Sequence, residues 1–345
     1  MSLSNTSQLL LRNIDLLDAK QALLINSPAD FLTQEYSQHY PSCKIDCFNV
    51  NYTEHLVIAK LNNPQINCHF SACYQSTIKH DLVILFFPKS KAEFSFTLTM
   101  INHALATHAQ ILIVGENNGG VKSVKKLSQP FLNHCEKIDS ARHCSLFLGK
   151  FNDKTINFCL DDWFKSYQIS LNNINLTIAS LPGVFSQNEL DTGTKLLLNN
   201  LPEKMSGKIL DFGCGAGVIS AYIGKKYHLA ELSLIDVNAL ALKSAEKTLA
   251  INNLSGHVFA SDCLSDVIEK YQHVVSNPPF HQGLKTHYAS TEAFLSGIKN
   301  HLFKNGDITI VANNFLHYQQ IMTDKIGKTA RLMNNNGFCI YYCQR

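Results

Sequence analysis

The chain has 345 residues, of which 45% are hydrophobic and 17% charged, and its formal net charge is +3. That balance describes a soluble globular protein with room for two domains and excludes disordered and membrane-spanning classes. The mildly basic charge permits a nucleic-acid partner without requiring one.

The start, MSLSNTSQLLLRN, has no basic segment followed by a long apolar core, so the expected location is the cytoplasm. Eleven cysteines are scattered along the chain. Their closest pairs, Cys43/Cys47, Cys68/Cys73 and Cys339/Cys343, miss the C-x-x-C spacing of zinc and redox sites. Neither a metal nor a disulfide is expected.

In the first half, Ala22–Ile25 and Asp81–Phe87 (DLVILFF) read as strands, the second meeting Pro88. Phe94–Thr107 has helical character, and Ile111–Val114 is the next strand. The run Gly115–Gly120 (GENNGG) lacks the GK[ST] ending of a phosphate loop and reads as a tight turn. A hairpin is expected over Trp163–Ser180, turning at Asn172–Asn173. The boundary falls between 150 and 170, giving domains 1–160 and 161–345.

From Leu201 onward strands and helices alternate. Strands are expected at Lys208–Phe212, Leu232–Ile235, His257–Ala260, His273–Ser276 and Asp307–Val311. Helices are expected at Val218–Lys226, Ala239–Asn252, Thr291–His301 and Phe315–Asp324. The tail turns at Asn334–Gly337 and closes in a hairpin. Repeated βα units imply a mostly parallel sheet with helices on both faces.

The first half is a fainter copy of the second. ILIVGENN at 111–118 parallels ITIVANNF at 308–315, and Phe86-Phe87-Pro88 lines up with Asn277-Pro278-Pro279. An internal duplication follows. The copy is chemically blank, because NSPADF replaces the glycine loop and Phe86 replaces the asparagine.

Chemistry concentrates in the second half. Ile209-Leu-Asp-Phe-Gly-Cys-Gly-Ala-Gly217 runs a strand into a loop with glycines at 213, 215 and 217. Glycine permits positive φ and lets a ligand lie on the main chain, and the helix that follows offers free N–H groups. The dinucleotide pattern G-x-G-x-x-G requires glycine at 218, where Val218 stands. Asp236 closes the second strand, where an acid can accept ribose hydroxyls, and Asp262 follows the third. Asn277-Pro278-Pro279-Phe280 follows the fourth. Double proline after a strand is by itself an ordinary turn. The row of acids beside it makes the turn a site.

The glycine loop DFGCGAG and the tetrad NPPF resemble the class I S-adenosylmethionine-dependent methyltransferases that act on amino groups. Together with LPGVFSQNELDTGTKLLL at 181–198, NPPFHQG and the duplicated layout, they resemble the bacterial rRNA guanine-N2 methyltransferases, nearest the small-subunit (16S) branch. The resemblance covers essentially the whole chain. It implies two tandem Rossmann-like methyltransferase domains, the first a degenerate scaffold without cofactor that is also a candidate for RNA contact. The second, catalytic domain would have a seven-stranded sheet ending in a β-hairpin.

It also implies roles. Asp211, Gly213, Cys214, Gly215 and Gly217 would hold the methionine end of S-adenosylmethionine, Asp236 its ribose and Asp262 its adenine, with Phe185 and Thr194 against the pocket. Asn277 and the Pro278 carbonyl would accept the two N–H groups of a guanine amine, Pro279 would stiffen the turn, and Phe280 would stack on the extruded base. His281 reads as positional. The partner implied is 16S rRNA, within the small subunit or an assembly intermediate.

NPPF alone does not fix the acceptor. A large-subunit (23S) guanine-N2 enzyme shares the layout, and a protein-glutamine N5 methyltransferase shares the tetrad, though its usual tyrosine is absent at 280. An RNA-binding assembly factor without catalysis is a further reading, against which the intact loop, acids and tetrad argue.

Overall fold

The computed structural model describes residues 2–152, 154–278 and 285–345, with the side chains of 285–288 set aside. The chain divides into two compact units, Met1–Trp163 and Phe164–Arg345.

In the first unit, strands β1 (Gln21–Ile25), β2 (Lys44–Asn49), β3 (Ile66–Phe70), β4 (His80–Phe86), β5 (Leu105–Glu116), β6 (Leu132–Ala141) and β7 (Cys144–Phe151) form one sheet. Helices α1 (Asn5–Arg12), α2 (Leu32–His39), α3 (Tyr52–Ala59), α4 (Lys91–Ile101) and α5 (Val124–Leu127) accompany them. The strand order is β3-β2-β1-β4-β5-β7-β6. Pairing is parallel from β3 through β5, and β7 runs antiparallel to both its neighbours. The central strands β1 and β4 carry near-continuous apolar runs, as strands covered on both faces require.

The second unit opens with a separate hairpin, β8 (Lys165–Leu171) and β9 (Ile174–Ser180). Its main sheet comprises β10 (Gly207–Phe212), β11 (Ala230–Asp236), β12 (His257–Ala260), β13 (Tyr271–Ser276), β14 (Leu302–Asn313), β15 (Thr329–Asn335) and β16 (Phe338–Gln344). The helices are α6 (Thr192–Asn199), α7 (Val218–Lys226), α8 (Ala239–Ile251), α9 (Lys285–Gly297) and α10 (Tyr318–Lys325). Its order, β12-β11-β10-β13-β14-β16-β15, repeats that of the first unit strand for strand. The expected architecture is therefore present twice, hairpin closure included. Leu210, Val274, Ile308, Ile310 and Tyr341 anchor the core between the second sheet and helices α9 and α10.

An isolated hairpin is marginal in water. Helix α8 supports this one with polar side chains at four-residue spacing, which places them on one face. Ser244, Thr248 and Asn252 accept the N–H groups of Leu181, Ala179 and Thr177 at 3.0, 3.1 and 3.0 Å. The free edge of β9 is thus satisfied by side chains. The same contacts direct the chain into the 181–191 segment and helix α6.

Among the described residues, three hairpin turns each place two residues at positive φ, the geometry that matches strand twist. Asn172 and Asn173 have φ of 51° and 62°, and Asn336 and Gly337 have 50° and 81°. Both turns were legible in advance. The β6–β7 turn was not, because Arg142 and His143, at 51° and 61°, occupy positions that ordinarily take asparagine or glycine. Strands β2 and β3 also escaped the sequence reading. The helix expected over Phe94–Thr107 ends at Ile101, and β5 starts at Leu105 after one short turn. The helix expected from Thr291 begins at Lys285.

Candidate active site

The carboxyl ends of β10 to β13 carry Asp211, Asp236, Asp262 and Asn277 in one row, while Thr194 comes from the start of α6. Strand β10 ends in Asp211-Phe212, and the chain then turns through Gly213, Gly215 and Gly217 at φ of 69°, 52° and 75°. A side chain on Gly217 would press on Ala245 of α8, whose Cα lies 3.0 Å from the position of its Cβ. A side chain on Gly215 would meet nothing within 4 Å. The first glycine serves helix packing, and the second leaves open space over the loop.

Asp211 is buried. Its Oδ2 accepts from the Ser220 N–H at 3.1 Å and the Ser220 hydroxyl at 2.8 Å. Its Oδ1 is buried without a partner among the described residues. Burial pushes this carboxyl up to about 7 against the Ser220 hydrogen bonds, and the negative charge of Asp236 adds to the rise. A buried acceptor without a donor is costly, and a cationic or N–H-bearing ligand would relieve that cost.

Asp236 closes β11. Its Oδ2 accepts from the Gly215 N–H at 3.0 Å and its Oδ1 from the Asn238 N–H at 2.9 Å. Burial raises this carboxyl as well, while those backbone hydrogen bonds hold it down. Each carboxylate oxygen can accept a second hydrogen bond, so capacity for ligand hydroxyls remains. Asp262 is half-buried just past β12. Cys214 is buried in the loop, where desolvation raises its thiol far above the ordinary range and keeps it neutral.

Strand β13 ends at Ser276, whose hydroxyl donates to the Phe212 carbonyl at 2.7 Å and ties the two strand ends together. Phe294 of α9 stacks on Phe212, with ring centroids 3.7 Å apart. Asn277 follows. Its Nδ2 donates to Thr194 Oγ1 at 2.9 Å and to Asp191 Oδ2 at 3.1 Å, both at the start of α6. Its Oδ1 is buried and has no partner among the described residues. Pro278 is buried beside it, while Pro279, Phe280 and His281 lie outside the described residues.

The structure thus brings Asp211, the glycine loop, Asp236 and Asn277 to adjoining strand ends. Thr194 takes a place beside Asn277, and Phe185 projects from the 181–191 segment with 56% of its surface exposed. Asp191 and Ser220 are site residues that motif reading passed over. Asp191 has the local signature of a helix cap, and nothing near it in the chain points to Asn277, 86 positions away. Ser220 looks like any polar residue in a first helical turn.

A wide cavity of 1280 Å³ opens elsewhere, in the first unit, lined in part by Asp46, His69, Tyr74, Lys79, His103 and Lys154. Its buried acid is already engaged. Tyr74 donates to Asp46 Oδ2, and His69 and His80 each stand 3.6 Å from the same oxygen. All eleven cysteines are free thiols. Among the described residues no His, Cys, Asp and Glu group is arranged to hold a metal ion, and no helix is long and apolar enough to cross a membrane.

The family profile described as Methyltransferase small domain matches residues 175–342, and that described as Methyltransferase small domain N-terminal matches 7–167. Ribosomal RNA small subunit methyltransferase C of Colwellia psychrerythraea is 55% identical, over 100% of this chain and 98% of its own. The protein of the same name from Aliivibrio fischeri is 41% identical over the full length of both. A solved T. thermophilus 16S rRNA N2 methyltransferase, in complex with AdoMet and guanosine, shares the fold at a TM-score of 0.86. That match covers 99% of this chain and 92% of the other at 19% identity.

Proposed function

This chain belongs to the ribosomal RNA small subunit methyltransferase C family, and from that premise we propose that its second unit methylates the exocyclic N2 amine of a guanine in 16S rRNA, using S-adenosylmethionine. The observation that carries this reading is the Asn277 amide. Both its N–H bonds are spent on Asp191 and Thr194, and its oxygen is buried without a partner among the described residues. A buried, unpaired acceptor held in one orientation is built to receive a donor.

An aryl amine is a weak nucleophile because its lone pair is delocalised into the ring. Asn277 Oδ1 and the Pro278 carbonyl would accept its two N–H bonds, fixing the direction of the lone pair and dispersing positive charge as it develops on nitrogen. The methylated amine then sheds one proton to water, so these residues need not act as a general base. Asp211 Oδ1, the glycine loop and the Asp236 carboxylate would hold the cofactor, with Asp262 at its adenine. When bound, S-adenosylmethionine supplies an electrophilic sulfonium methyl group.

The first unit is a scaffold on this reading. Strand register aligns Leu24 with Asp211, Asn49 with Asp236 and Ala72 with Asp262, and Phe86 stands where Asn277 does. Asn26 repeats the backbone of Gly213, with positive φ and an N–H donated to the neighbouring strand at 2.9 Å in both units. The turn is retained, but the groups that would recognise a cofactor are replaced.

The test is methyl transfer from labelled cofactor to small subunits, large subunits and naked rRNAs from cells lacking the enzyme, followed by nucleoside identification. N2-methylguanosine in 16S rRNA is the expected product. Guanine 1207, the position named for the T. thermophilus protein, is the first to map. Label confined to 23S rRNA would move the acceptor, and label in no RNA would overturn the reading.

A further inference from the structure

We infer that Asp191 is a positioning residue for methyl transfer: with the Thr194 hydroxyl, its carboxylate holds the Asn277 amide in the orientation that turns Oδ1 toward the acceptor amine. The inference rests on the function proposed above and assigns the step on which that function depends.

Asp191 is the N-cap of α6, and its Oδ2 accepts from the Thr194 N–H at 2.9 Å. A cap needs no more than that bond. The same oxygen also accepts from the Thr194 hydroxyl at 3.3 Å and from Asn277 Nδ2 at 3.1 Å. Thr194 Oγ1 in turn accepts from Asn277 Nδ2 at 2.9 Å. The three side chains close a ring of hydrogen bonds in which every donor has one acceptor.

That ring leaves the amide a single orientation. An ionised carboxylate only accepts, so the Asn277 amide must present its NH2 to Asp191. Rotated by half a turn, the amide would set Oδ1 against the carboxylate oxygen, two acceptors facing each other in a buried site. Both N–H bonds are consumed on the inner side, so the oxygen, unpaired among the described residues, is the group this amide turns to substrate.

Gly193 supports the assignment independently. A side chain there would stand 3.1 Å from Asp191 Oδ2 and 3.1 Å from the Phe338 ring. Without a side chain there, the Asp191 carboxylate and the Phe338 ring keep their room.

The test separates capping from positioning with Asp191→Ser. Serine caps about as well as aspartate. Its hydroxyl donates as readily as it accepts, so it cannot tell the two ends of the amide apart. We expect kcat to fall on the order of 10- to 100-fold, with cofactor affinity, RNA KM and melting temperature little changed. Thr194→Ser, which keeps the hydroxyl, should retain most of the activity. In the background of Asn277→Ala, adding Asp191→Ser should cost almost nothing further, since the two act as one unit.

A second readout needs no acceptor. In protein labelled with 15N-asparagine, the Asn277 side-chain NH2, assigned by its loss in Asn277→Ala, should be protected from solvent exchange in the wild type and unprotected in Asp191→Ser. Unchanged protection, or lost protection with unchanged kcat, overturns the inference. If the wild type methylates another amine instead of 16S guanine, the function falls. The kcat ratio on that amine and the exchange measurement then still judge Asp191.

Discussion

The Asp236 carboxylate accepts the Gly215 N–H at 3.0 Å, so the acid that ends one strand pins the loop that follows its neighbour. The same side chain also accepts from the Asn238 N–H that leads into α8. Asp236→Ala would leave both donors unpaired and remove the acceptor proposed for the ribose. The expected stability loss is about 1–3 kcal/mol, with cofactor affinity reduced by about 100-fold in calorimetric titration. Unchanged affinity would remove Asp236 from the cofactor site.

Two glycines of one loop should fail in different ways. Gly217→Ala forces a methyl against Ala245 and should lower the melting temperature markedly. Gly215→Ala enters open space and carries only the strain of positive φ, on the order of 1 kcal/mol. Its effect should fall on cofactor binding, because the methyl takes up room above the loop. Denaturation curves beside binding isotherms separate the two.

Asp211 is expected to make cofactor binding depend on pH. Its carboxyl is pushed up to about 7 in the free protein, and a cationic amino group facing Oδ1 would favour the charged form. Affinity should therefore rise several-fold between about pH 6 and about pH 7.5 as Asp211 deprotonates. The stability of the free protein runs the other way. A folded carboxyl raised above its unfolded value costs stability as pH climbs from about 4 to about 7, and Asp211→Asn should remove that slope while weakening binding. Flat binding across the range would exclude this carboxyl from the cofactor contact.

Asn277→Ala should lower kcat by about two to three orders of magnitude with cofactor affinity within about twofold, because the contact proposed for it is to substrate. Collapse of cofactor binding instead would reassign the residue.

In the first unit, burial pushes the Asp46 carboxyl up, but the nearby His69, the Tyr74 hydrogen bond and the His80 imidazole together hold it low. Tyr74→Phe removes one donor and should cost about 1–3 kcal/mol, seen as a lower melting temperature. Cofactor stoichiometry should stay at one per chain. Two sites per chain, or a loss of affinity in this variant, would end the scaffold reading.

Much of this was legible in local patterns. The apolar runs of β10, β13 and β14, the Asn-Asn and Asn-Gly turns and the G-x-G-x-G loop each signal through neighbours a few residues apart. The strands that escaped were those whose stability comes from partners. Strand β6 is largely exposed and polar, and its turn residues Arg142 and His143 carry no turn signal. The end of α4 at Ile101 was hidden for the same reason, since the start of β5 is set by pairing with β4 and not by composition.

From the sequence alone came the repeated α/β design, the glycine loop, the acids on successive strands and the asparagine before two prolines, all encoded by order and spacing. Tertiary structure decided what those groups face. It left Asp211 Oδ1 and Asn277 Oδ1 buried without partners among the described residues, and it brought Asp191 to Asn277 across 86 positions. Hydrogen-bond satisfaction depends on distances between side chains far apart in the chain, and no local pattern of residues specifies those distances.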